Sequence, residues 1–194
     1  MLGRAPSRAR RRDDVEGPFI EPQPPRFAVD RLGERFPGAV LEVAEFRGEI
    51  TVVVPKEGIV DIARFLRDDA ATAFDMLTVV TGIHYLGRDY DFEVLYHLYS
   101  VAKNHRLRLK IRLRENETVD SVTPVWPGAN WPEREAYDLV GVRFHGHPDL
   151  RRIIMPEDYP HHPLRRDFDV EGGPSDIRPG GRVASPGFRD MESV

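Results

Sequence analysis

Hydrophobic and polar positions change period several times along this chain. Phe27, Leu32 and Phe36 predict a short helix that Pro37-Gly38 ends. Residues 39–46 and 49–54 read as two strands around a tight Arg47-Gly48 turn, with Ile50, Val52, Val53 and Val54 β-branched and inward. From Pro55 to Ala70 the spacing becomes helical. Ile59, Ile62, Ala63 and Leu66 share a stripe beside Phe65, while Asp61, Arg64, Asp68 and Asp69 face outward. Pro55 is tolerated in the first turn, where its missing N–H has no helical partner. Strands follow over 76–86, 92–102 and 106–114, the last two joined as a hairpin through Lys103-Asn104-His105. Residues 119–122 suit a short strand and 124–129 (PVWPGA) a loop. A helix then opens with Asn130 as its N-cap and Glu133 at the capping-box position. Pro132 sits in its first turn, and Glu133 and Glu135 lie at the positive end of the dipole. Ala136, Leu139 and Val140 form its packing stripe, and Gly141 stops it.

The strand RLRLKIRLR alternates throughout. Leu107, Leu109, Ile111 and Leu113 take one face, and Arg106, Arg108, Lys110, Arg112 and Arg114 take the other. The simpler reading is the solvated outer face of a sheet whose other side is core. The competing one is a basic face for acidic protein, phosphate or lipid.

Beyond Met155 apolar periodicity collapses, and Pro and Gly recur from Pro156 to Gly187. Such a segment cannot build its own core, so it is either disordered or laid across another protein. The expected organisation is a basic, Pro-rich, disordered extension over 1–25, a domain over 26–155 and an extended tail over 156–194. The fold class is α+β: a mixed β-sheet with packed helices, followed by an extended Pro/Gly-rich C-terminal docking tail.

Composition narrows the function. The 194 residues contain no cysteine, which excludes disulfides, thiolate metal sites, cysteine-ligated iron–sulfur clusters and cysteine nucleophiles in this chain. A net charge of −4 argues against a dedicated nucleic-acid binder. Lysine occurs only at 56, 103 and 110, a bias that G+C-rich coding explains without function. No apolar run is long enough to span a bilayer, and the basic N-terminus lacks the apolar stretch of a secretory signal.

The densest chemistry lies in residues 131–167. His145, His147, His161 and His162, with Asp149, Glu157 and Asp158 nearby, could be weighed as metal ligands. However, no HExxH pattern is present, and His147 and His162 each precede proline, which biases both toward extended turns. Glu133 and Glu135 point about 200° apart on a helix and so do not converge as an acid–base pair. Arg134 and Asp138, four apart, can pair. Phosphate loops and nucleophile elbows are absent. The residues describe an interaction protein, with no catalytic, cofactor or metal residue assigned.

The run Glu133-Arg134-Glu135-Ala136-Tyr137-Asp138-Leu139, its continuation over 141–158, and His162-Pro163-Leu164-Arg165-Arg166-Asp167 closely resemble the 30-kDa subunit family of the proton-pumping NADH:quinone oxidoreductase, respiratory complex I. Pro55-Lys56, 65–69, Phe74-Asp75 and 96–100 also fit. His161 is a departure, because a Gly commonly precedes the HPLR-like run. The resemblance implies an α+β subunit of the peripheral arm, on the cytoplasmic face of the bacterial membrane. Its extension would lie on neighbours, chiefly the quinone-pocket (49-kDa type) subunit and its cluster-bearing neighbour. It implies that FMN, iron–sulfur clusters and quinone sit in partner subunits. The expected partner-interface residues are Glu133, Arg134, Glu135, Asp138, His147, Asp149, Arg151, Arg152, Glu157, Asp158 and Arg166. The alternatives are the equivalent subunit of a membrane-bound hydrogenase or related dehydrogenase, and a stand-alone His-dependent metalloenzyme.

Overall fold

The computed structural model describes residues 25–168 and the backbone of 177–178 and 182–183. The expectations for the basic extension before residue 25 and for most of the tail beyond 168 lie outside the described residues.

The chain forms α1 (Arg26–Arg35), β1 (Glu42–Phe46), β2 (Glu49–Val53), α2 (Ile59–Asp68), β3 (Met76–His84), β4 (Phe92–Ser100), β5 (His105–Leu113), β6 (Thr118–Asp120), α3 (Asn130–Val140) and β7 (Arg143–His145). A short pair, β8 (Ile177–Arg178) and β9 (Arg182–Val183), follows. The main sheet has the order β1-β2-β5-β4-β3. Only the β2–β5 pairing is parallel, with Thr51 opposite Arg108 and Val53 opposite Lys110, so the sheet is mixed as expected. β6 and β7 form a separate parallel pair. Arg47 and Gly48 both take positive φ, 53° and 77°, the conformation that matches a two-residue hairpin turn to strand twist.

Alternation on β4 and β5 decides which face is core. Val94, Tyr96 and Leu98 pair with Ile111, Leu109 and Leu107, and all six are buried with Ile59, Ile62 and Leu66 of α2 and Leu32 of α1. The opposite face carries the basic residues, as the simpler reading expected. Acids on other strands of the sheet answer them: Arg108 with Glu49 at 2.6 Å, Arg112 with Glu42 at 2.7 Å and Lys110 with Glu93 at 3.0 Å.

Several boundaries move. α2 begins at Ile59 and not at Pro55, because Gly58 takes a left-handed conformation (φ 77°) before it. Lys56, in the turn, reaches Glu117 at 2.8 Å. β4 stops at Ser100 and β5 starts at His105, with Asn104 in the left-handed region (φ 50°) between them. The capping box at α3 does not form. A 3-10 turn over Pro127–Ala129 runs straight into the helix, so Asn130 is already helical and caps nothing.

Leu109 sits mid-sheet at 1% exposure. Leu109→Ala should therefore lower unfolding stability by about 2–5 kcal/mol. Urea titration should show this as a lower midpoint at unchanged slope.

Candidate functional site: a helix that clasps an extended segment

α3 packs against β3 through Ala136 and Val140. The approach needs Gly82, where a Cβ would lie 3.1 Å from Val142 and 3.4 Å from Val140. At its end Gly141 turns left-handed (φ 91°), with its N–H directed at the carbonyls of Ala136 and Tyr137. A Cβ there would also meet the His162 ring at 2.8 Å, so this glycine serves both the turn and the segment that returns over it.

That returning segment, 149–166, packs Leu150 and Tyr159 inward and is held by many polar bonds to α3. Asp138 is the centre. Its side chain is wholly buried. Oδ2 accepts three consecutive backbone N–H groups, from Ile153 (3.0 Å), Ile154 (2.7 Å) and Met155 (3.0 Å). Oδ1 accepts Arg152 Nη1 at 2.8 Å. Arg152 spreads its remaining donors over the carbonyls of Asp138, Tyr159 and His161. His162 donates from Nδ1 to the Asp138 carbonyl, and Leu164 N–H donates to the Leu139 carbonyl. Arg166 N–H reaches Nδ1 of the buried His84. Burial pushes the Asp138 carboxyl up. The three backbone donors and Arg152 outweigh it and hold the group below the usual carboxylate range.

Residues 52–174 match the family described as respiratory-chain NADH dehydrogenase, 30 Kd subunit. The chain belongs to that family. It is 50% identical over 146 residues to the corresponding NADH-quinone oxidoreductase subunit of Geotalea uraniireducens, covering 75% of this chain and 88% of that one. To the corresponding subunit of Roseiflexus sp. strain RS-1 it is 51% identical over 143 residues, covering 73% and 82%. Among solved structures, a chain of the membrane-bound sulfane sulfur reductase, an archaeal respiratory membrane complex, superposes with TM-score 0.63. That match covers 75% of this chain and 85% of the other at 24% identity, a likeness of fold. The chain is thus a complex I family subunit. Among its described residues no helix is long and apolar enough to cross a membrane.

Within this complex I subunit, the residues expected at a partner surface separate into two groups. Glu135, Asp149, Arg151, Glu157, Asp158 and Arg166 are exposed. Glu133, Arg134, Asp138, His147 and Arg152 instead direct their side chains into the chain itself. Arg134 does not pair with Asp138. Its Nε and Nη2 donate to the carbonyls of Arg151 and Arg152 (3.1 and 3.2 Å), and its guanidinium stacks over Trp131. Glu133, expected near the cap, is fully buried. Its Oε1 accepts Val122 N–H at 2.8 Å and its Oε2 lies 2.6 Å from Ser121 Oγ. His147 donates from Nε2 to the Asn130 carbonyl at 3.1 Å and accepts Asp149 N–H on Nδ1 at 3.0 Å, which fixes its tautomer. His145 meets Asp120. Among the described residues no three His, Asp or Glu side chains converge as a metal-ligand set. The reading from sequence missed His84 and the Ser121-Val122 seat of Glu133. Both lie far away in the chain, and no local pattern marks them.

The two buried carboxylates should respond to substitution and pH in opposite ways. Asp138→Asn strips the charge that balances Arg152 and should cost about 3–5 kcal/mol in denaturant unfolding. The Asp138 contribution is complete above its ordinary value of 3.8 and is lost as pH falls through the lowered folded value. Glu133 has the reverse sign, because burial raises its carboxyl from 4.5 to about 7 against the bonds from Ser121 and Val122. Its ionisation therefore withdraws stability as pH rises from 4.5 through about 7. Glu133→Gln should remove that loss and leave the variant roughly 2–3 kcal/mol more stable than wild type at alkaline pH, with no gain at acidic pH.

Proposed function

We propose that this chain is a non-redox scaffold subunit of the peripheral arm of NADH:quinone oxidoreductase. It supports electron transfer from NADH, through FMN and iron–sulfur clusters in partner subunits, to quinone, coupled to proton translocation. The chain itself carries no catalytic site, and it sits at the cytoplasmic face of the bacterial membrane. Its chief partners are the quinone-pocket subunit and that subunit's cluster-bearing neighbour.

The observation that carries this reading is the Asp138 clasp. A segment that cannot build a core is held in one shape by bonds to α3. Outward it presents Glu157, Asp158 and Arg166 with the exposed side chains of Ile154 and Leu164, beside Asp149 and Arg151. A rigid, charged surface of mixed sign with apolar points suits docking to a fixed partner. The donor set does not fit a cluster, which takes cysteine thiolates, because the sequence has none. His84, His105, His147 and His162 each have a ring nitrogen engaged with a backbone group.

The fold likeness to a subunit of a sulfane sulfur reductase complex keeps a second reading in play, the equivalent place in a related respiratory complex. The test is to tag the full chain in its host and extract membranes gently. Co-purifying proteins are then identified and NADH-dependent quinone reduction assayed. A large assembly with that activity supports complex I, and an assembly without NADH dependence supports the second reading. The chain alone with a stoichiometric metal would overturn both. In the same assay Arg134→Ala should lower the amount of assembled complex while leaving turnover per assembled complex near wild type. It does so by freeing the 151–152 carbonyls, and wild-type levels of assembly in that variant would contradict the reading.

A further inference from the structure

Glu133 and His147 meet with both side chains wholly buried, Oε2 to Nε2 at 4.0 Å, and no hydrogen bond joins them. Each fastens a different segment to α3. Glu133 holds the 121–122 turn through two bonds. His147 holds its own loop, through Nε2 to the Asn130 carbonyl and through Nδ1 from Asp149 N–H. Every bond in this set is complete while Glu133 is neutral. Ser121 Oγ lies 2.6 Å from Oε2 and 2.7 Å from Thr123 Oγ1, so a proton on Oε2 has the Ser121 oxygen as its acceptor and the Ser121 hydroxyl has Thr123, while Oε1 accepts Val122 N–H. The ionised form is a buried anion with two donors and no balancing cation, an arrangement that favours capture of a third donor.

Two donors face Glu133, the Tyr96 hydroxyl and the His147 Nε2–H, and only the second is already part of a bond that its capture would break. On α3, Arg134 turns its guanidinium to the carbonyls of Arg151 and Arg152. From β6, Asp120 is a like charge occupied with His145. From β4, the Tyr96 hydroxyl is fully buried without a hydrogen-bond partner, and its ionisation is suppressed by burial and by the fields of Glu133 and Asp120. From the loop, His147 Nε2 lies 4.0 Å from Glu133 Oε2.

We propose that the Glu133–His147 contact is a proton-operated latch. With its proton, Glu133 leaves His147 bonded to Asn130. Without it, the carboxylate draws the His147 Nε2–H onto Oε2, releases the Asn130 carbonyl and turns the ring away from Asp149 N–H. The proton stays on nitrogen throughout, and only the hydrogen bond changes partner. The loop that opens leads into the 151–155 backbone that Arg134 and Asp138 hold, so the latch frees the entry to the clasped segment and leaves its centre in place. Burial sets the Glu133 carboxyl at about 7, which puts the change in the neutral range. The latch belongs to the chain alone and does not rest on assembly with partners.

The test uses the full-length chain, labelled with 15N, at pH 6 and pH 8. The expected result is a drop of about tenfold in the amide-exchange protection factor of Asp149 relative to that of Tyr96, one factor of ten for a shift of one unit in the linked equilibrium. Glu133→Gln should hold the acidic-pH protection at both values. The wild-type His147 Nε2 resonance should move over the same range, and this needs no variant to fold. Protection at Asp149 that is flat in wild type, an equal drop in Glu133→Gln, or a His147 resonance that does not move would each overturn the latch.

Discussion

One carboxylate organises the C-terminal half of the described chain. Asp138 accepts three successive backbone N–H groups and one guanidinium N–H, all from a stretch with no regular structure of its own. Backbone donors withdrawn from water must find acceptors, and a segment outside a helix or sheet cannot supply them. Asp138 does so from a rigid helix. Arg152 closes the circuit by binding the carboxylate and the carbonyls of Tyr159 and His161. The Gly141 turn then lets His162 sit over the helix end. Remove the Asp138 carboxylate, and three backbone donors and a buried arginine lose their acceptor together.

The same helix shows that burial alone does not decide ionisation. Glu133 and Asp138 both have wholly buried side chains. Asp138, with three amides and an arginine, is held in its charged form. Glu133, with one amide and one hydroxyl, is pushed toward its neutral form. The number of donors and the presence of a cation set the sign. The acidic residues of the motif thus have separate tasks: Asp138 is a fixed anchor, Glu133 a proton-bearing one, and Glu135 lies on the solvent side of the helix.

Much of the fold was legible because its periods are strong. The alternation of β5 gave both the core face and the basic face, and the stripe of Ile59, Ile62, Ala63 and Leu66 gave α2. What failed was local reading at places where distant groups decide. Asn130 and Glu133 have capping-box spacing, but the preceding 3-10 turn and the distant Ser121-Val122 seat took both residues away from that role. Arg134 and Asp138 have the spacing of a helix pair, yet each finds a better partner in the returning segment. The motif residues were recognised from sequence, while their directions were not. Five of the expected partner-interface residues, Glu133, Arg134, Asp138, His147 and Arg152, direct their side chains into the chain, a direction that spacing in the sequence does not carry.

The central claim is that the Asp138 clasp makes the extended segment part of the folded domain. Native-state amide exchange of Ile153, Ile154 and Met155 in the isolated full-length chain tests it most directly. The account predicts protection approaching that of the amides of β4 and β5, because opening the clasp requires exposing a buried carboxylate and arginine together. Exchange at the rate of a free loop, with β4 and β5 still protected, would contradict it.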